Sequence, residues 1–237
     1  MKIALLGYGK MGKTIEALAL KKGHSVVYKS TSSTSEGKLS EADVAIEFSL
    51  PEVAVKNITL ALEAGIPIVS GTTGWLDKYD EMVNLCENRN GSFISASNFS
   101  IGVNLFFEIN EYAAELFAKW KAYDVSVEEI HHLQKKDAPS GTAISIAEGI
   151  LKHSEKKNWK LNTSAKDELN ITALREEDVK GTHTVSYHSE IDTITMTHEA
   201  HSRDGFALGA ILAAEWLLNK KGIFTMKDVL AIQNSEL

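Results

Sequence analysis

The 237-residue chain is 43% hydrophobic and 24% charged, the proportions of an ordinary globular protein rather than a disordered or fibrous one. A formal net charge of −7 with a pI near 5.6 opposes a long phosphate backbone or an anionic membrane as a general partner, while leaving room for a small anion at a locally cationic site. Cys86 is the only cysteine, so no intrachain disulfide can form; no apolar run reaches the roughly 20 residues of a membrane helix, and Met1–Leu6 is too short for a signal segment, so the expected location is the cytoplasm.

The first hundred residues alternate β-branched runs with segments of helical period. Strands are predicted at Lys2–Leu6, Ser25–Lys29, Val44–Phe48, Pro67–Ser70 and Ser92–Ala96. Between them, Met11–Lys22, Glu52–Ala64 and Trp75–Asn88 carry apolar residues three and four apart, with Gly23 and Gly65 at the expected helix C-caps. Ser30–Ser40 has no clear period and reads as a mobile surface segment. After Phe99 a long helix is predicted over Ile101–Trp120, then a strand over Asp124–Ile130 and a helix over Ala143–Leu151. Lys152–Lys166 is polar and lysine-rich and reads as a second mobile segment. Asn170–Ser202 alternates repeatedly, which predicts antiparallel strands with one wet face. Ala207–Asn219 is apolar enough for a buried helix that returns to the first domain. The expected fold is α/β: a Rossmann-type parallel sheet over residues 1–100, completed by 205–237, and a second α+β domain on a mixed or antiparallel sheet over 101–204.

Gly7-Tyr8-Gly9-Lys10-Met11-Gly12 directly follows the first strand and opens the first helix, the context in which this spacing binds a dinucleotide. Gly7 permits the turn, Gly9 lets the backbone approach a pyrophosphate and Gly12 packs helix on strand, while the helix N-terminus faces the phosphates. The acid that would bond the ribose 2′-hydroxyl of NAD, about 20 residues further on, is not there. The second strand ends Tyr28-Lys29-Ser30-Thr31-Ser32 instead, where Lys29 either accepts the 2′-phosphate of NADP or is a solvated strand-end lysine. The reading leans to NADPH with NADH left open.

The densest chemistry lies in Glu129-Ile130-His131-His132-Leu133-Gln134-Lys135-Lys136-Asp137-Ala138-Pro139-Ser140-Gly141-Thr142. Two histidines and a lysine supply a titratable proton donor and a cation, and Ser140-Gly141-Thr142 opens a helix whose free N–H groups favour a carboxylate. A small anionic acid is the substrate this pattern points to. The segment resembles the signature of 4-hydroxy-tetrahydrodipicolinate reductases, E-x-H-H-x-x-K-x-D-x-P-S-G-T, at every fixed position, and the similarity extends to Gly71-Thr72-Thr73-Gly74, Ala96-Ser97-Asn98-Phe99-Ser100 and His198 to Phe206 in family order. The resemblance implies that His131 protonates the substrate with Lys135 assisting. His132, Lys135, Gly141 and Thr142 would hold its carboxylates, and Gly71, Thr72, Thr73, Ala96, Ser97, Asn98 and Phe99 would line the nicotinamide half of the cofactor site. It also implies NAD(P)H-dependent reduction with loss of water in the diaminopimelate route to lysine, and a homotetramer joined through the second domain's sheet. The chain is short for the family between the second and third strands, the region that helps choose between NADH and NADPH.

His198-Glu199-Ala200-His201 suggests a metal site only superficially, because a strand sends residues three apart to opposite faces; no metal is expected. Arg203 and Asp204 read as a hinge between domains or as ordinary surface charges, Trp75 as a packing residue near the cofactor loop, and Cys86 as a small core residue rather than a nucleophile. Two rivals remain: a non-catalytic NAD(P)-binding regulator, which the His-His-x-x-Lys pattern opposes, and another two-domain dehydrogenase, which has no use for the Pro139–Thr142 turn.

Overall fold

The computed structural model describes residues 1–163 and 165–232; Ser164, inside the Lys152–Lys166 stretch, and residues 233–237, at the end of the expected C-terminal segment, lie outside the described residues. Two compact units divide the chain, Met1–Ile101 with Asp204–Leu237, and Gly102–Arg203.

In the first unit a seven-stranded sheet is built from β1 (Lys2–Leu6), β2 (Ser25–Ser30), β3 (Ser35–Gly37), β4 (Val44–Glu47), β5 (Ile68–Ser70), β6 (Ser92–Ser95) and β12 (Gly222–Phe224), in the order β12-β6-β5-β4-β1-β2-β3. Every pairing is parallel except β2 with β3. Helices cover both faces, so the inner strands are apolar on both sides. Ile3 and Leu5 look to one core, with Ile15, Ile46, Val69 and Ile94; Ala4 and Leu6 look to the other, with Ile58, Ile68, Trp75 and Phe93. Helix α1 (Lys10–Lys21) buries Gly12, Ile15 and Ala19 at helical spacing; α2 (Pro51–Glu63) and α3 (Tyr79–Asn88) pack on the opposite face, where Cys86 is buried. Helix α6 (Asp204–Leu217) is nearly apolar all round, and it packs against α1 and β4 to β6; the short α7 (Met226–Val229) follows β12.

The Ser30–Ser40 stretch has more structure than its sequence suggests. Residues 35–37 form β3 antiparallel to β2, and a single 3₁₀ turn follows at Leu39–Glu41. An edge strand that is wet on both faces needs no hydrophobic period, which is why none was visible.

The second unit carries a five-stranded sheet ordered β11-β10-β7-β9-β8, from β7 (Asp124–His132), β8 (Asn158–Leu161), β9 (Glu168–Glu176), β10 (Thr182–His188) and β11 (Thr193–Glu199). Helices α4 (Ile101–Phe117) and α5 (Gly141–Leu151) supply Phe106, Ala113, Ala143, Ile146 and Ile150 to one face, against Val125, Val127, Ile171, Val185 and Tyr187. The other face of β10 and β11 is exposed and hydroxyl-rich, with Thr184 beside Thr197 and Ser186 beside Thr195. One correction concerns β9. The alternation from Asn170 predicted antiparallel strands throughout, yet β9 runs parallel to β7 and to β8, and the antiparallel pairings are those of β10 with β7 and with β11. Side-chain alternation is the same in both directions; the connections decide it, α5 between β7 and β8 and residues 162–167 between β8 and β9. The Lys152–Lys166 stretch likewise contains a strand, β8.

Gly209 shows how tightly α6 seats. A Cβ there would stand 1.7 Å from the Phe99 carbonyl oxygen. A glycine-to-alanine change inside a helix normally stabilises by up to about 1 kcal/mol. Gly209→Ala is expected to do the reverse, lowering the urea midpoint by an overpacking cost of roughly 1–3 kcal/mol.

Candidate active site

The strand order reverses between β1 and β4, the position at which an open parallel sheet opens a crevice at its carboxyl ends. A cleft of about 720 Å³ lies there, lined by Gly7, Tyr8, Gly9, Lys10 and Met11 after β1, by Thr31 and Ser32 after β2, by Phe48–Pro51, Val53, Lys56 and Asn57 around the start of α2, and by Gly71, Thr72 and Thr73 after β5. Gly7 has φ +104°, and a Cβ on it would collide with the Phe48 carbonyl at 2.0 Å; a Cβ on Gly12 would stand 2.4 Å from the Gly7 carbonyl, so helix and loop meet backbone to backbone. A Cβ on Gly9 would meet nothing within 4 Å. The loop thus presents open backbone and a helix N-terminus with no acid in its first turn, which fits a pyrophosphate.

Glu47 underlies the far wall. It is fully buried at the end of β4 and accepts from Ser70 Oγ at 2.7 Å, Thr72 Oγ1 at 2.9 Å and Ser49 Oγ, while Thr72 Oγ1 accepts the Ser49 N–H at 2.8 Å. Those bonds hold Gly71–Thr73 and the Ser49 turn in one arrangement. Trp75 is buried behind them and donates its indole N–H to the Thr72 carbonyl at 2.7 Å. Of the other cofactor candidates, Ala96, Ser97, Asn98 and Phe99 follow β6, two strands away from β4. Ala96 bonds the Ser70 carbonyl through its N–H, the Asn98 side chain accepts the Ser100 N–H, and Phe99 is core. Lys29 sits at the end of β2 with its ammonium 2.5 Å from Glu16 of α1 and 4.9 Å from the Tyr8 ring centre. The bond to Glu16 raises the Lys29 pKa, and Tyr8 also donates to that carboxylate. An acid therefore does stand beside the second strand, supplied by the first helix.

In the second unit the predicted strand runs two residues further, to His132, so the two histidines belong to a strand end and alternate about it. His131 is buried. His132 is half-buried with Nε2 at 3.4 Å from Arg203, and it borders a separate hollow with Leu133, Gln134, Glu177, Asp178 and Lys180; burial, then the charge of Arg203, lower its pKa. The chain then turns through 133–140 into α5. Lys135 lies in that turn with its ammonium 2.8 and 2.9 Å from the two oxygens of Asp137. Burial works against the Asp137 charge, but the lysine prevails and holds its pKa low. Ser140 caps α5, its hydroxyl accepting the Ala143 N–H at 3.1 Å, which puts Gly141 and Thr142 in the helix's first turn.

Beneath this turn lies a cluster the motif alone does not show. Glu129, fully buried, shares a face of β7 with His131 and pairs across β10 with His183. Its two oxygens each lie 3.1 Å from the Ser140 N–H, its Oε2 stands 3.4 Å from His131 Nε2 and 3.8 Å from His183 Nε2, and Arg175 of β9 approaches its Oε1 at 3.4 Å. The His131 contact has ion-pair distance without hydrogen-bond geometry. Burial opposes the Glu129 charge, but His131 and Ser140 outweigh it and bring its pKa down to about 2; burial, then the charge of His131, brings His183 down to about 3. Glu129, His131 and His183 offer ligand atoms within 4.8 Å of one another, yet the Arg175 guanidinium already occupies the carboxylate's flank with a fixed positive charge, which disfavours a cation there. His198, the residue of the superficial metal motif, packs against Phe106. Sequence reasoning assigned no role to Glu129 and overlooked His183, Arg175, Glu47 and Glu16. The visible signal for Glu47 was an acid at the end of an otherwise apolar strand, and for Glu129 an acid in phase with Val125 and Val127 on one strand face.

The buried pair makes stability depend on pH. Unfolded His183 takes a proton below its ordinary 6.5, whereas the folded chain refuses it until about 3, so stability falls as pH drops through that window; Glu129 adds a further loss between 4.5 and about 2. His183→Gln is expected to lose less unfolding free energy than the parent between pH 7.5 and 5.5 in urea titrations. An equal loss would mean that His183 is not held neutral by burial.

Comparison with known proteins follows the same division. The dihydrodipicolinate reductase N-terminus profile matches residues 1–99 and the C-terminus profile residues 102–230. A 4-hydroxy-tetrahydrodipicolinate reductase of Christiangramia forsetii is 53% identical over 234 residues, covering 98% of both chains, and one of Archaeoglobus fulgidus is 39% identical over 80% of this chain and 76% of its own. Dipicolinate-bound dihydrodipicolinate reductase from Paenisporosarcina sp. TG-14 superimposes with a TM-score of 0.76 at 22% identity, over 95% of this chain and 97% of that one, which establishes the shared fold. With both halves matched and a relative similar from end to end, the chain belongs to the dihydrodipicolinate reductase family.

Proposed function

We infer that the chain reduces 4-hydroxy-tetrahydrodipicolinate to tetrahydrodipicolinate with NAD(P)H and loss of water, in the diaminopimelate route to lysine. The observation that carries this is the folded Glu129–Thr142 segment: a buried histidine, a lysine and a helix N-terminus gathered around one turn, in a chain 53% identical to a 4-hydroxy-tetrahydrodipicolinate reductase. The nicotinamide, when bound, supplies a hydride, and the glycine loop with Gly71–Thr73 is the wall that would hold it; Ala96–Phe99 would complete the nicotinamide half.

His131 donates the proton that must reach the atom next to the reduced carbon. Lys135 assists by binding a substrate carboxylate and stabilising the charge that develops during reduction. Gly141 and Thr142 offer the first turn of α5 to a carboxylate, and His132 adds a polar contact at the strand end. Because Asp137 holds the Lys135 ammonium here, the substrate carboxylate must compete with it, which favours a dianionic ligand over a neutral one. We assign the 1–100 and 205–237 segments to cofactor binding and 101–204 to substrate binding, catalysis and assembly into a homotetramer, and place the enzyme in the cytoplasm. Among the described residues no helix is long and apolar enough to cross a membrane.

For the cofactor we favour NADPH. Lys29, with Thr31 and Ser32 on the cleft, is the group suited to a 2′-phosphate, and Glu16 competes for it. Glu16→Gln should then lower the KM for NADPH relative to NADH by roughly tenfold, about 1.4 kcal/mol, and Lys29→Ala should raise it; if neither moves the ratio, Lys29 is only a strand-end lysine. The reaction itself is tested by following NADPH and NADH oxidation with substrate generated in situ from pyruvate and aspartate semialdehyde. His131→Gln is expected to cut kcat by roughly 10²–10⁴ while leaving the cofactor Kd unchanged. Equal losses in both would remove His131 as the donor, and cofactor binding without any oxidation would favour a regulator.

A further inference from the structure

Arg175 is a charged group of the second unit that the reaction scheme leaves without a role. It lies opposite His131 in the parallel register of β7 and β9, and its side chain is four-fifths buried, 20% exposed. Its planar fork is fully engaged. Nε donates to the Lys135 carbonyl at 3.3 Å, Nη2 to the Asp137 carbonyl at 2.6 Å, Nη1 to its neighbour Leu174's carbonyl at 2.7 Å, and both Nη groups stand 3.4 and 3.5 Å from Glu129 Oε1. Glu129 in turn takes the Ser140 N–H on both oxygens.

The turn these bonds serve has little else to hold it. Leu133, Gln134, Lys136, Asp137 and Ala138 are exposed, Leu133 at 61%, and Pro139 is the one buried apolar side chain of the turn. A segment that buries a single apolar side chain depends chiefly on its backbone hydrogen bonds. Here the two carbonyls that flank Lys136 end on one guanidinium, and the turn's last N–H, at Ser140, ends on the carboxylate that faces it.

We propose that Arg175 is a positioning residue for the reaction: its fork ties the backbone of the Lys135–Asp137 turn to the buried Glu129 carboxylate, setting Lys135 and the carboxylate-binding start of α5 in fixed relation to His131. This rests on the roles assigned above to His131 and Lys135. The geometry requires arginine rather than positive charge alone. A lysine offers a compact ammonium on a flexible stem and cannot serve two carbonyls and a carboxylate in one plane.

The test measures kcat, KM for 4-hydroxy-tetrahydrodipicolinate, cofactor Kd and Tm for the full-length chain and for two variants. Arg175→Lys keeps the charge beside Glu129; it is expected to fold and to bind cofactor normally, with a raised substrate KM and kcat/KM lower by roughly 10²-fold. The double variant Arg175→Gln with Glu129→Gln leaves no buried charge unpaired, so its Tm should exceed that of Arg175→Gln alone while its kcat/KM stays low. Wild-type kcat/KM in Arg175→Lys overturns the proposal, and so does a double variant whose activity returns in step with its Tm, because the pair would then act through folding only. Failure of the unchanged chain to turn over this substrate overturns instead the assignment of the reaction.

Discussion

A carboxylate with no exposed surface sits on the central strand of the second sheet, and much of that unit's site is arranged around it. Removing a charge from water costs several kcal/mol unless close partners replace the lost hydration. Glu129 acquires its partners from every side: the Ser140 N–H from the start of α5, the Arg175 guanidinium from β9, His131 from its own strand and His183 from β10. Each partner brings a segment with it. The turn that carries Lys135 is therefore fastened at Lys135 and Asp137 to Arg175 and at Ser140 to Glu129 itself, and its exposed side chains remain available to a ligand.

The first unit uses the same device with different chemistry. Glu47 is as deeply buried as Glu129, yet it is met by hydroxyls rather than by a cation, from Ser49, Ser70 and Thr72. Because Thr72 passes the connection on to the Ser49 backbone, the loops after β4 and β5 form one wall of the cleft. The opposite wall is glycine, where the turn after β1 meets the Phe48 carbonyl too closely to admit a side chain. A buried acid and a crowded backbone thus do for the candidate cofactor cleft what Glu129 and Arg175 do for the Lys135 turn: they place backbone groups accurately without relying on exposed side chains.

Local charge departs from the chain's net value of −7. Lys10 and Lys56 line the cleft, Lys29 stands beside it paired with Glu16, and the Ser140–Thr142 helix start adds the positive end of a dipole in the second unit. Anions are drawn to particular places on a molecule that repels long polyanions in general.

Much of this was legible in the residues alone. The alternation of strands and helices, the glycine turn after β1 and the Glu129–Thr142 run depend on neighbours within a few positions of one another, and sequence order preserves such relations; so the fold class and the two candidate segments stand out in it. Tertiary structure decided the rest. Whether β9 runs parallel or antiparallel leaves its side-chain alternation unchanged, so only the crossover path settles it. That Glu16 meets Lys29, that Glu47 meets Ser70 and Thr72, and that Glu129 meets Arg175 and His183, follows from strand register and helix placement, which bring together residues 13 to 54 positions apart. A buried charge selects its partners by distance in space, and the linear chain does not record that distance.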